Sequence, residues 1–322
     1  MIELEHVTKA YGNKVAVEDL SLRIEPGELF AFLGPNGAGK TTTIKMIVGL
    51  LFPTSGRVRV NGYDMATQGD EARRLLSYVP DQPYLYEKLT GREFLQFIAE
   101  MYGMPREQAR RRMDEVIELF DLAKFVDNLT QDYSHGMRQR TVFASALLHE
   151  PRVLIVDEPT VGLDPLSVRR LKDLLRRQAD GGVTVFLSTH SLDVVEELAD
   201  RIGIVDRGHL VSCGGLEALR KQAALDGPLE DVFLKLTAEA NQENGQKVSR
   251  LQQEQPESNP LPGGKTPKLL DPDPVVRAMA EQDILVMGRT AQEYLAEQRA
   301  KAPPELRQAI DRLWRRILEE GR

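Results

Sequence analysis

Ile2-Glu3-Leu4-Glu5-His6-Val7 and Leu20-Ser21-Leu22-Arg23-Ile24 alternate apolar with polar side chains, the period of two that predicts half-buried strands. Pro26-Gly27 predicts a turn before a continuous apolar run from Leu29 to Leu33, and Arg57-Val58-Arg59-Val60 predicts another short strand ended by the turn pair Asn61-Gly62. From Thr90 to about Phe120 the pattern becomes helical, with Phe94, Phe97, Ile98 and Met101 on one face and Met113, Val116, Ile117 and Phe120 on another. Continuous apolar runs return at Val153 to Val156, Val183 to Leu187 and Ile202 to Val205. Unbroken apolar runs of this length mark strands covered on both faces, as in a parallel sheet flanked by helices. The pattern predicts a doubly wound α/β core, entered through N-terminal antiparallel strands and interrupted by a helical insertion at about 84–150.

Beyond Leu236 the composition changes. Residues 239–274 are dominated by Gln, Glu, Asn, Pro and Lys and offer little apolar area to bury, which predicts a disordered linker over 239–272. Asp273-Pro274 then reads as a helix cap and first position, Thr290-Ala291-Gln292-Glu293 as a capping box, and Pro304 as the opening of a last helix. A helical C-terminal extension over 273–322 follows, with Leu306, Ile310, Leu313 and Ile317 on one stripe and Arg312, Arg315 and Arg316 beside it. No internal repeat is visible in the sequence.

A chain of 322 residues with 41% apolar residues is long enough for one large core and one to three domains. Its net charge of −7 argues against a nucleic-acid partner, since coating phosphates calls for a basic excess. Cys213 is the single cysteine and no basic-apolar leader opens the sequence, so the expected compartment is the cytosol. The longest apolar runs fall far short of the roughly 18 residues a membrane helix needs.

The residues between Leu33 and the following helical run carry the chemistry. Gly34-Pro35-Asn36-Gly37-Ala38-Gly39-Lys40-Thr41-Thr42 fills every fixed position of the G-x-x-x-x-G-K-[ST] loop, and it has the preceding strand and following helix that the motif requires. Its glycines let backbone N–H groups converge, the helix adds its positive end, and a polyphosphate is what such a concavity holds. Lys40 is expected along the β- and γ-phosphates and Thr41 on Mg²⁺. Gly263-Gly264-Lys265-Thr266 imitates the motif, but Asn259 stands at the first glycine's place and no strand precedes it.

Val153-Leu154-Ile155-Val156-Asp157-Glu158 is an apolar strand ending in two carboxylates, which are costly to bury unless they meet a cation. The expectation is that Asp157 holds Mg²⁺ through water and Glu158 polarises the attacking water. His190 follows the strand Val183 to Leu187 in Ser188-Thr189-His190. Parallel strands present ligand groups at their carboxyl ends, which places this imidazole beside the same γ-phosphate.

The order of these motifs, with Ser134-His135-Gly136-Met137-Arg138-Gln139-Arg140 and Gly162-Leu163-Asp164 between them, resembles an ABC-transporter ATPase subunit over about residues 1–238. The resemblance implies a P-loop NTPase core with a mixed sheet, ATP and Mg²⁺ as bound species, and ATP hydrolysis as the activity. It implies a head-to-tail dimer of cassettes, homodimeric or heterodimeric, in which Ser134 and Gly136 bind the γ-phosphate held by the other copy and Asp164 lies at the seam. It further implies that Tyr11 stacks on adenine, and that the chain works peripherally on the cytoplasmic face of the cell membrane with an integral permease.

The sequence departs from that family's pattern twice. The usual L-S-G-G-Q signature reads Tyr133-Ser134-His135-Gly136-Met137, and the glutamine expected after Tyr78-Val79-Pro80 is Asp81, with Gln82 one place later. Either Asp81, reaching Mg²⁺ through water, or Gln82 can take that role. Such variants, with the Leu-Thr-Gly-Arg-Glu stretch at Leu89–Glu93 and the ending Leu229 to Leu234, resemble drug- and polysaccharide-exporter subunits. The alternative is a soluble ABC-type ATPase acting on ribosomes or DNA. That class carries two cassettes or a long coiled-coil insertion, and neither is present here.

Overall fold

The computed structural model describes residues 1–161, 163–254, 299 and 303–319. The alternating N-terminal segments form β1 (Ile2–Tyr11) and β2 (Lys14–Ile24), and the long apolar run forms β3 (Leu29–Leu33). With β4 (Ser55–Val60) and β5 (Tyr63–Asp64), the first two make a four-stranded sheet ordered β2-β1-β4-β5. Ile2 pairs opposite Val60 and Leu4 opposite Val58 in the antiparallel β1–β4 ladder. All four are buried, so one face of this sheet is committed to the core while the other stays polar.

A second sheet of six strands is ordered β10-β9-β3-β8-β7-β6, with β6 Leu76–Val79, β7 Val153–Asp157, β8 Thr184–Thr189, β9 Arg201–Asp206 and β10 His209–Gly214. Strands β6 to β9 run parallel with β3, and β10 returns antiparallel to β9. The sheet is therefore mixed, as expected. Every residue of β3, β7 and β8 is buried, which is why these strands show no alternation. On one side Phe30, Phe32, Ile155 and Phe186 pack with Ile2, Leu4, Val58 and Val60 of the first sheet and with Ile44 and Ile47 of α1 (Lys40–Ile47). The short α2 (Gly69–Arg74) leads into β6.

The other side is covered by α3 (Gly91–Met101), α4 (Arg106–Leu119), α5 (His135–Leu147) and α6 (Pro165–Asp180), whose Leu95, Met113, Phe143 and Leu175 pack on Leu154, Val156, Val185 and Leu187. Near β9, Ile202 and Ile204 pack with Val195 of α7 (Leu192–Leu198), Leu219 of α8 (Leu216–Ala223), and Leu229, Val232 and Leu236 of α9 (Leu229–Glu254). Each fully buried aliphatic side chain contributes about 1.5–3 kcal/mol before ordering costs.

Three expectations change. The helical stretch from Thr90 to Phe120 is two helices, because Gly103 (φ 67°) and Pro105 break it. The core face of α3 is Phe94, Leu95, Ile98 and Ala99, whereas Met101, in the final turn, is 69% exposed. Residues 239–254, expected in a disordered linker, continue α9. Leu229, Val232 and Leu236 dock its first turns, and the Ala, Glu, Gln and Lys that follow are good helix formers, so elongation from a docked nucleus is favoured by propensity.

The chain divides into two units, Met1–Lys9 with Ala16–Asn244, and Ala10–Val15 with Gly245–Arg322. The second contains α10 (Pro304–Glu319), opened by the expected proline, with Leu306, Ala309 and Ile310 buried and Asp311 paired with Arg299. The rest of the expected linker, the Asp273-Pro274 cap and the capping box at Thr290 lie outside the described residues. Among the described residues no helix is long and apolar enough to cross a membrane.

Candidate active site

The chain leaves β3 at Leu33 and must turn at once under β9. A Cβ added at Gly34 would lie 2.3 Å from the Val205 carbonyl oxygen, so no side chain fits there without lifting the loop. Pro35, Asn36, Gly37 and Ala38 complete the curl, with the Ala38 N–H donating to the Pro35 oxygen at 3.2 Å and the Gly208 N–H donating to the Ala38 oxygen at 3.0 Å. Gly39, at φ 103°, is the N-cap of α1, and no side chain caps that end. The first-turn N–H groups of α1, including those at Thr41 and Thr42, are thereby left for an anion held over the loop.

Lys40 is 6% exposed. Its Nζ donates to the Gly34 oxygen at 2.7 Å and lies 3.5 Å from Glu158 Oε1. The Thr41 hydroxyl donates to Asp157 Oδ2 at 3.5 Å, which brings the end of β3 and the end of β7 together. Asp157 is 2% exposed. Burial pushes its carboxyl above the usual carboxylate range, an effect the Ser188 hydroxyl opposes, Asp81 and Glu158 reinforce, and Lys40 opposes.

Glu158 takes a left-handed backbone (φ 45°), a conformation an L side chain adopts only when its surroundings hold it there. Its N–H donates to the Ser188 oxygen at 2.8 Å. The resulting kink aims the carboxylate away from the strand, so that Oε2 lies 2.8 Å from His190 Nδ1 at the end of β8. Lys40, Thr41, Asp157, Glu158 and His190 are thus one cluster, and Asp81 is near enough to raise both Asp157 and Tyr78, whose hydroxyl is pushed up chiefly by burial. Gln82 is exposed, its N–H donating to Asp81 Oδ1 at 2.9 Å.

Ser134, Gly136 and Asp164 lie elsewhere. Ser134 caps α5, accepting from the Met137 N–H at 3.3 Å. Asp164 caps α6, accepting from the Leu166 and Ser167 N–H groups at 3.0 Å each. The hydrogen bonds from Ser167, its hydroxyl first, hold the Asp164 carboxyl below its usual range. These three residues line a separate cleft of about 730 Å³ with Met137, Leu163 and Arg170. Tyr11 ends β1 and is 38% exposed.

Gly208 carries no motif in the sequence, only the mark of a turn glycine between two strands. Gln139 and His135 likewise show no sequence sign of reaching the loop after Glu158: Gln139 Nε2 donates to the Pro159 oxygen, and His135 Nε2 meets the Val161 oxygen at 3.3 Å.

The donor set fits a hard cation. Asp157 is buried with its charged form disfavoured and a hydroxyl beside it, and such a carboxylate gains when positive charge arrives. Among the described residues no three His, Cys, Asp or Glu side chains converge as a self-contained metal site. The oxygens at hand, the Asp157 carboxylate and the Thr41 hydroxyl, are the donor type that hard divalent cations take.

A family model described as ABC transporter matches residues 17–161. The chain is 40% identical over 214 residues to the linearmycin resistance ATP-binding protein LnrL of Bacillus subtilis (strain 168), covering 66% of this chain and 69% of that one. Among solved structures it is similar to an ATP-binding subunit of an ABC transporter (34% identity, TM-score 0.70, 74% of this chain and 99% of that one). It is also similar to a dimeric ATP-binding cassette in a post-hydrolysis state with ADP and Pi (29% identity, TM-score 0.62, 67% of this chain and 99% of that one). The fold, the loop at Gly34–Thr42 and these likenesses converge, and the chain belongs to the ATP-binding, ATP-hydrolysing subunits of ABC transporters.

Proposed function

We propose that this subunit hydrolyses ATP with Glu158 as the group that polarises the attacking water. The observation that carries the reading is the position of the Glu158 carboxylate, between Lys40 Nζ at 3.5 Å and His190 Nδ1 at 2.8 Å. The loop N–H groups and Lys40 hold the β- and γ-phosphates, and the α1 dipole favours their charge. Thr41 and Asp157, with Asp81 nearby, would hold Mg²⁺, which supplies charge neutralisation on the phosphate oxygens. His190 orients the Glu158 carboxylate and faces the γ-phosphate from the end of β8.

Ser134 and Gly136 act on the nucleotide of a second cassette in a head-to-tail dimer, with Asp164 at the seam and Tyr11 against adenine. The dimeric relative solved with ADP and Pi supports the pairing, and the cap geometry of α5 suits an anion. The dimer drives a separate integral permease from the cytoplasmic face, and the name of the linearmycin-resistance relative favours export. Helix α10 is an add-on docking module outside catalysis.

Glu158→Gln tests this directly. ATP binding persists, because the loop and Lys40 are intact, while kcat falls by about 100-fold or more, the scale of a lost general base. Hydrolysis at near the parental rate would remove Glu158 from this role.

A further inference from the structure

The three residues that follow Glu158 are each held from a different direction. The Pro159 oxygen accepts from Gln139 Nε2, Thr160 Oγ1 lies 3.5 Å from Ser191 Oγ, and the Val161 oxygen lies 3.3 Å from His135 Nε2. Two of these tethers come from the first turns of α5 and the third from the residue after His190. A carbonyl only accepts, so the His135 ring must carry its hydrogen on Nε2. Gln139 is 6% exposed, and its Oε1 has no partner among the described residues. The amide therefore contributes through the Pro159 contact alone and leaves an acceptor unsatisfied.

We propose that His135 is a positioning residue for hydrolysis: its imidazole ties the N-terminal turn of α5 to the segment 159–161, so that the Ser134–Gly136 turn and the Glu158 carboxylate keep a fixed relation. The inference rests on the assignment of Glu158 and Ser134 above. Its physical basis is leverage. Glu158 sits in a left-handed backbone conformation, which persists only while flanking contacts over-determine it, and the segment immediately after it is one of those flanks. Glycine, the usual residue of the signature at this position, carries no side chain that could span the gap. The signature turn of this chain therefore has a mechanical link built from its own departure from the pattern. Because His135 is exposed, substitutions there leave the core packing untouched.

The test compares His135→Ala and His135→Gln in the full-length chain, with Glu158→Gln run in parallel. A glutamine side chain retains an N–H donor on a similar reach. His135→Ala is expected to lower kcat about five-fold, the scale of one neutral hydrogen bond. KM for ATP should stay within about two-fold, and His135→Gln should recover most of kcat. Nitrogen-15 NMR of the parental ring should show the hydrogen on Nε2. Parental kcat in His135→Ala, a rise in KM with kcat unchanged, or no advantage of Gln over Ala would each overturn the proposal, the second by making His135 a nucleotide contact instead. If Glu158→Gln is inactive while His135→Ala turns over normally, the tether alone fails. If Glu158→Gln is fully active, the assignment of Glu158 fails and the inference with it.

Discussion

Lys40 and Ser134 are both proposed to meet a phosphate, yet their surroundings differ. Lys40 is 6% exposed and held by the Gly34 oxygen and by Glu158, at the ends of strands in which every residue is buried. Ser134 is exposed at a helix cap, and a Cβ added at Gly136 would touch nothing within 4 Å. The strand-end cluster is complete within one chain, so its geometry is set by the core. The α5 turn presents groups outward, so its geometry is set by the helical region that carries it and by what it meets. In the proposed head-to-tail dimer, a cassette built this way would bind nucleotide by itself and complete the phosphate's surroundings through a second copy.

That contrast is open to attack first where the helical region joins the sheet. Tyr102, just past α3, stacks on His149, just past α5, with ring centroids 3.5 Å apart, and His149 Nε2 lies 3.3 Å from the Ser77 hydroxyl of β6. Burial lowers the His149 pKa to about 4, below the unfolded value of about 6.5. The unfolded chain then binds more protons between these values, so stability is full above about pH 6.5 and falls as the pH drops toward 4, by up to about 3 kcal/mol. Urea unfolding at pH 7.5 and pH 5 should record about 2 kcal/mol of that loss, and His149→Phe, which keeps a ring against Tyr102, should remove most of the difference. An unchanged slope in the variant would move the acid sensitivity to other groups.

A smaller effect lies within the helical region. The Tyr133 hydroxyl donates to the Phe125 oxygen at 2.9 Å, and a Cβ added at Gly91 would lie 2.3 Å from that hydroxyl. Gly91→Ala should destabilise by about 1–3 kcal/mol, the cost of displacing a buried hydrogen-bonded hydroxyl. Adding Tyr133→Phe should restore part of that loss, since the clashing atom is gone. Thermal melts of the single and double variants decide it; additive losses would mean that the two positions do not share this contact.

The same contrast separates what was legible in the sequence from what was not. That Gly34, Lys40, Thr41, Asp157, Glu158 and His190 come together was legible because strand ends are local: each lies shortly after an apolar run whose end fixes its place. Strands β3, β7, β8 and β9 of the six-stranded sheet were readable for the same reason, since runs such as Val153–Val156 have no polar face to misassign, whereas β6 (Leu76–Val79) and β10 (His209–Gly214) are not among the strands the sequence predicts. Contacts between distant segments left no such trace. The Gly208 N–H on Ala38, the Tyr102–His149 stack and the fit of Gly91 to Tyr133 each join residues whose spacing carries no period. The face of α3 was misread at Met101 because periodicity does not say where the core beneath a helix stops. Residues 239–254 were misread because a polar composition does not by itself exclude a helix that elongates from a docked start.

The most direct measurement mixes two inactive chains, one carrying Ser134→Arg and the other Lys40→Ala. Each alone should lose nearly all ATPase activity, since every dimer of either chain lacks one half of both sites. A heterodimer pairs the intact strand-end cluster of the first with the intact α5 turn of the second, giving one complete site. Recovered hydrolysis on mixing is the expected result. No recovery, with heterodimers demonstrated by differential tagging, would contradict the division of the site between two copies.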